Sequence, residues 1–333
     1  MVLLLVTLYR TCNQALTLKQ AVVRLFLLTV ASCFFALAVF SAPISFRDSY
    51  GKEGFALSPA TGVTSTAQQA VEFIDSIKTL APSTYWPHVN PAAFLQNVKE
   101  NVLKPILIYP GIGTNFCGYG ALSYLLLQDD PLGYARFMVK LYTTGRAQFG
   151  NSDVDPSDPI KKQAGQMRYK GVLDIHPADQ LWFLSLADHF KGYLNIFNRH
   201  YDVGDEDKFW ASVNLAKFNR MARNFLHYKL GSRGSDLIRP HLSDTYQYIS
   251  NRLQRGKVVL FINNRIVHKK NHERVKLKVP THFIVVEKIS RQDDLITLVY
   301  WDYGGKTLMQ LSPRFLRRII FAIVDLKKEA GDK

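Results

Sequence analysis

The sequence predicts an α+β fold with helices first and a sheet last, and two observations carry that reading. From residue 64 to residue 253 apolar side chains recur at three- and four-residue steps, the period of helices packed on a core. From Lys257 onward they give way to short β-branched and aromatic runs divided by turn residues, the pattern of strands. Helices should therefore lie to one side of a largely antiparallel sheet.

In chain order, the spacing predicts helices over 64–80, 92–103, 115–127, 131–142, 177–197, 206–228 and 235–253. Asn90 followed by Pro91 reads as an N-cap and first-turn proline, and Asp130 followed by Pro131 as another. Residues 151–159, rich in Asp and Pro, should be loop, and 231–234 should break the helical pattern. Strands are expected at 258–262, 281–289, 295–302, 306–311 and 319–326, with one helical turn at 313–318. Trp210, Val213, Met221, Phe225 and Tyr228 form one apolar stripe, which reads as core.

At 333 residues, 47% hydrophobic and 21% charged, the chain is neither disordered nor a multi-span membrane protein. No internal repeat suggests a solenoid or propeller. Residues 1–42 read as a signal peptide or membrane anchor: Leu25 to Ala42 holds no charge, Arg10, Lys19 and Arg24 precede it, and Pro43 ends it. A cleaved signal is the first reading, with Val39-Phe40-Ser41 as its cleavage context, and an uncleaved anchor the second. Val30-Ala31-Ser32-Cys33 has the outline of a lipoprotein box in an unsuitable context. Each version leaves the body outside the cytoplasm, whether periplasmic, extracellular or membrane-anchored. Residues 43–63 read as a linker and 64–333 as the folded domain.

The formal net charge is +15, and 252–291 carries eleven Lys or Arg against two Glu. This basic flank suits an anionic envelope polymer, a membrane surface or an acidic protein substrate, or is simply a solvated surface. No nucleic-acid reader motif is present, and no nucleic-acid partner is expected. His268 and His272, four residues apart among basic residues, lack an acidic or cysteine companion, so no metal or cofactor is expected.

Cys12 and Cys33 belong to the leader, which leaves Cys117 as the one thiol of the exported body. It stands at a predicted helix start, where unpaired N–H groups favour a thiolate. Gly118 and Gly120, poor helix formers, are read as leaving the backbone beside the sulfur open to a substrate. If 281–289 and 295–302 pair through a five-residue loop, His282 directly faces Asp302, close enough for a carboxylate to hold an imidazole. Thiol, imidazole and carboxylate are the three parts of nucleophilic acyl transfer.

At FCGYGAL on a helix start, THFIVVEKI opening a strand and YWDYGG ending the next, the sequence resembles the papain-like cysteine peptidases, and the C39-like group in particular. The resemblance covers about 40 residues. It implies a papain-like fold with Cys117 as nucleophile, His282 as base and acid, and Asp302 as orienter. The chain departs from the group in two respects. Gly111 stands where relatives place a Gln that donates to the oxyanion, which leaves Asn115 as a substitute donor or as a plain N-cap. The 165 residues between Cys117 and His282 exceed the usual separation, and a helical insertion over about 151–256 accounts for the excess.

The expected function is thus an exported bacterial-type cysteine hydrolase that cleaves amide, chiefly peptide, bonds through a thioester. One alternative is a Cys-dependent deamidase, acyltransferase or toxin-like effector acting on a single protein. The other is a non-catalytic envelope module.

Overall fold

The computed structural model describes residues 56–57, 63–111, 113–166, 175–190, 202–207, 211–263 and 279–328, all within the unit Gly54–Lys333. The leader, Trp210, His268 and His272 lie outside the described residues, as do residues 264–278 of the basic flank, which carry six of its eleven Lys or Arg. Among the described residues no helix is long and apolar enough to cross a membrane.

Two-residue strand β1 (Ala56–Leu57) falls within the expected linker and pairs with the sheet at Ile289 and Lys288. Helices α1 (Ala67–Asp75), α2 (Pro91–Leu103), α3 (Cys117–Asp129) and α4 (Pro131–Thr144) follow. The caps are those the sequence predicts: Asn90 accepts from the Ala93 amide and Asp130 from the Gly133 amide. Strands β2 (Ala147–Phe149) and β3 (Ser152–Val154) form a small hairpin, whose second strand falls where loop was expected. Then come α5 (Asp158–Gln163), α6 (Pro177–Phe190) and α7 (Leu215–Asn224).

The segment expected to be a helical insertion is not purely helical. Residues read as a break belong to strand β4 (Tyr228–Gly234), which pairs antiparallel with residues 322–328 and extends the main sheet. A Cβ on Gly231 would stand 2.9 Å from the Asp325 carboxylate, and Gly234 ends the strand at φ +105°. Glycines that look like a helix breaker here serve close strand packing and a turn.

Helix α8 (Thr245–Leu253) leads to β5 (Lys257–Ile262), β6 (His282–Gln292), β7 (Leu295–Asp302), β8 (Gly305–Leu311), α9 (Pro313–Ile319) and β9 (Ile320–Lys328). The sheet order is β4-β9-β5-β6-β7-β8, with every described pairing antiparallel. The α+β class is as predicted, but the helices are not confined to one side. Val259, Phe261, Phe283, Val285 and Trp301 face the large core shared with α1–α4, α6 and α7. Val258, Leu260, Ile284, Val286 and Tyr300 face a second core closed by α8 and α9. Strands apolar on both faces need cover on both, and β5 is buried at all six positions.

Candidate active site

Cys117 is the first residue of α3, and the loop before it is held by Thr114. The Thr114 hydroxyl lies 2.7 Å from the Pro110 carbonyl and accepts from the Phe116 amide at 3.3 Å. Gly111 sits at φ +86°, and an added Cβ would fall 2.8 Å from Ile175, so backbone and packing both select glycine where the resemblance expects a Gln. Asn115 is not the N-cap; Phe116 occupies that position and caps nothing with its side chain. The Asn115 amide Nδ2 donates to the Asp207 carbonyl at 2.7 Å and its backbone N–H to that of Glu206 at 2.7 Å. An oxyanion role for Asn115 therefore requires release of, or sharing with, the 202–207 loop. The N–H groups of Cys117 and Gly118, first in the helix, have no intrahelical acceptor.

The two glycines after the cysteine do not open the backbone, contrary to the sequence reading. A Cβ on Gly118 would stand 2.7 Å from Val213 and 3.2 Å from the Phe283 ring; one on Gly120 would stand 2.9 Å from Pro110 and 3.1 Å from Trp301. They let α3 lie close against α7's approach, the pre-cysteine loop and the sheet. Trp301 stacks on Tyr124 with ring centroids 5.0 Å apart and donates from Nε1 to the Ile106 carbonyl at 3.0 Å. The Tyr124 hydroxyl reaches Glu287 of β6 at 2.5 Å. Two turns beyond Cys117, the same helix is thus fastened to both strands that carry the other candidate residues.

His282 opens β6, and its Nε2 lies 2.5 Å from Asp302 Oδ1 at the end of β7. The pair is enclosed, with side chains 2% and 8% exposed. The partnership is as expected, but the register is not. The β6–β7 loop has two residues, Asp293 and Asp294, with Asp293 at φ +50°, and Gln292 pairs with Leu295. A bulge then sets Glu287 and Lys288 together opposite Val299, and beyond it Val286 pairs with Tyr300 and Val285 with Trp301. His282 is consequently a diagonal neighbour of Asp302 on the same face, two residues from direct opposition.

Cys117 Sγ lies 3.8 Å from the carbonyl of Thr281, the residue before the histidine. No hydrogen bond of ordinary geometry joins the sulfur to the ring, and the buried Nδ1 of His282 has no such partner. The interaction is felt nonetheless. Burial pushes the imidazole pKa down, but the Asp302 hydrogen bond, followed by Cys117, overcomes this and raises it to about 10. With Nε2 on the carboxylate, Nδ1 is the nitrogen left for the thiol. Long, imperfectly aligned contacts of this kind are common in unliganded catalytic sites.

One site residue escaped the sequence reading. Tyr303 and Gly304, at φ +41° and +82°, form the two-residue turn between β7 and β8 and place the Tyr303 ring on the imidazole, centroids 4.6 Å apart at 19°. Burial, then the charges of Cys117, Asp302 and Tyr109, push the Tyr303 hydroxyl's pKa up. The Tyr-Gly pair after Asp302 was the available signal. Gly304 packs against Tyr109 and the 107–108 carbonyls, seating the turn on the segment that leads to Cys117. Among the described residues no group of three His, Cys, Asp or Glu is placed to hold a metal ion. No protein-family model, curated protein or solved structure matches the chain.

Proposed function

We propose that the chain is an exported cysteine hydrolase of papain-like architecture that cleaves amide bonds, peptide bonds first among them. The supporting observation is a buried imidazole held by Asp302 on one nitrogen and raised to about 10 by that carboxylate and by Cys117. Such an imidazole takes the thiol proton and keeps it ready for a leaving group.

In this mechanism the Cys117 sulfur attacks the substrate carbonyl carbon, and the N–H groups at the start of α3 receive the developing oxyanion. His282 gives its proton to the amine nitrogen as the C–N bond breaks, leaving a thioester. It then takes a proton from water, whose oxygen attacks the thioester carbonyl. The C–S bond breaks and the sulfur leaves as thiolate beside imidazolium. Asp302 fixes the ring's tautomer and stabilises its charge, while Tyr303 covers its face.

The proposed setting is outside the cytoplasm, with a protein or peptide substrate. Enclosure supports a second reading, since Cys117 is only 7% exposed. That suits a deamidase or acyltransferase working on one protein side chain.

The test incubates the full chain with an extracellular protein mixture and follows products by mass spectrometry. Cleavage fragments that vanish with Cys117→Ala support the peptidase. A Cys117-dependent change on a single residue, with intact backbones, selects the second reading. Identical products from Cys117→Ala and wild type would sink both.

A further inference from the structure

Away from this site, the edge of the sheet carries an apolar tip that the hydrolase reading leaves unused. Leu237 and Ile238 are 75% and 74% exposed, the most exposed large hydrophobic side chains among the described residues. They do not sit on a loose loop. The Ser235 hydroxyl accepts from the Ile238 amide at 2.7 Å and the Leu237 amide at 3.1 Å, while Ser235 N–H lies 3.1 Å from both the Ile238 and Phe321 carbonyls. Gly234, at φ +105° and against the Phe321 carbonyl, turns the chain off β4 into this knuckle. The fold therefore presents two aliphatic side chains outward in a fixed geometry.

But for Asp236, the charges around the tip are of one sign. Arg233 precedes it and is exposed. Arg239 follows, donating from Nε to the Arg318 carbonyl at 2.8 Å with its guanidinium 4.2 Å over the Phe321 ring. That contact brings the end of α9, with exposed Arg317 and Arg318, beside the tip. The one acid in segments 233–239 and 314–321 is Asp236, and its Oδ1 is turned back to accept from the Leu215 amide at the start of α7.

The geometry points to a membrane-docking tip: Leu237 and Ile238 enter the interface of an anionic lipid bilayer while Arg233, Arg239, Arg317 and Arg318 meet its headgroups. Exposed aliphatics ringed by arginines match a surface that offers an apolar interior beneath negative charge. None of Cys117, His282 and Asp302 takes part, so the inference stands or falls apart from the hydrolase reading.

The test uses the full chain with Ile238→Trp and, on the opposite sheet edge, Leu308→Trp, which is 49% exposed in the wild type. Each is mixed with phosphatidylcholine vesicles carrying brominated acyl chains, with or without phosphatidylglycerol, and parent tryptophan emission is subtracted. Bromine quenches only an indole that reaches the acyl region, so attachment through the apolar N-terminal run does not mimic docking. The expected result is strong quenching at 238, little at 308, and loss of the 238 signal without phosphatidylglycerol. Adding Arg233→Gln and Arg317→Gln should weaken the binding to anionic vesicles that the 238 quenching reports by about thirtyfold. Equal quenching at both positions, or equal quenching with and without phosphatidylglycerol, overturns the proposal. So does a concentration-dependent blue shift at 238 without lipid, which would assign the tip to a second copy of the chain.

Discussion

His282 and Asp302 are bonded at 2.5 Å although they are not cross-strand partners; the Glu287 bulge sets them diagonally on one face. A diagonal pair needs a side chain that reaches, which makes the length and charge of residue 302 matter. Asp302→Ala should lower kcat/KM for amide hydrolysis by about 10²–10⁴-fold, and Asp302→Asn by less, because an amide still orients the ring without stabilising its charge. The discriminating measurement is the rate of Cys117 alkylation at pH 6, expected to be fast in the wild type and slow in Asp302→Ala. Unchanged alkylation in Asp302→Ala would remove the carboxylate from the mechanism.

The same pair has a stability signature. The folded protein holds a proton on His282 up to about pH 10, whereas the free side chain releases it near 6.5. Its contribution is fully present below about pH 6.5 and is lost as pH rises through about 10. Thermal melts across that window should show the wild type losing midpoint more steeply than His282→Gln. Parallel curves would mean that the charged imidazole adds nothing to the fold.

Gly118→Ala tests the packing beside Cys117. Alanine is the better helix former by about 1 kcal/mol, but its Cβ would stand 2.7 Å from Val213, and overpacking of this kind costs about 1–3 kcal/mol. Net destabilisation is expected, with activity reduced as α3 shifts. Adding Val213→Ala should recover part of the loss, a non-additivity readable by denaturant titration. Full additivity would place the strain elsewhere.

Much of this was legible in the chain because it is written locally. The change of period at Lys257, the caps at Asn90 and Asp130, and both ends of β7 need only neighbouring residues. The candidate residues Cys117, His282 and Asp302 are likewise recognisable from the types that flank them. Register was harder, since Asp293-Asp294 alone makes the turn and the Glu287-Lys288 pair interrupts the alternation of Ile284, Val286 and Ile289. A bulge shows in sequence only as that broken alternation. The roles of Gly118 and Gly120 were not legible at all, because Val213 and Trp301 reach them from distant parts of the chain. Tyr303 was overlooked for a similar reason, its importance lying in a ring stack across the strand end.

A second ionisable group titrates well away from His282, between α2, α4 and α6. Asp179 is 1% exposed; its Oδ1 accepts from Asn101 at 2.7 Å, while its Oδ2 has no partner. Burial raises its pKa to about 7 against the pull of Asn101 and Asn97, with Glu100 adding to the rise. Tyr134 shares the Asn101 amide and feels the Asp179 charge. Here the folded state keeps a proton that the unfolded chain loses near pH 4, so stability falls as pH rises from about 4 to about 7 and is level above. Asp179→Asn, an uncharged mimic of the protonated acid, should flatten that decline and melt higher than the wild type at pH 8. Because Phe183 of the same helix stacks on Phe116 beside the cysteine, with centroids 6.1 Å apart, the variant should also hold activity at a higher temperature. A wild type whose melting midpoint does not fall between pH 4 and 7 relative to Asp179→Asn would show that Asp179 is ionised in the fold and partnered by water.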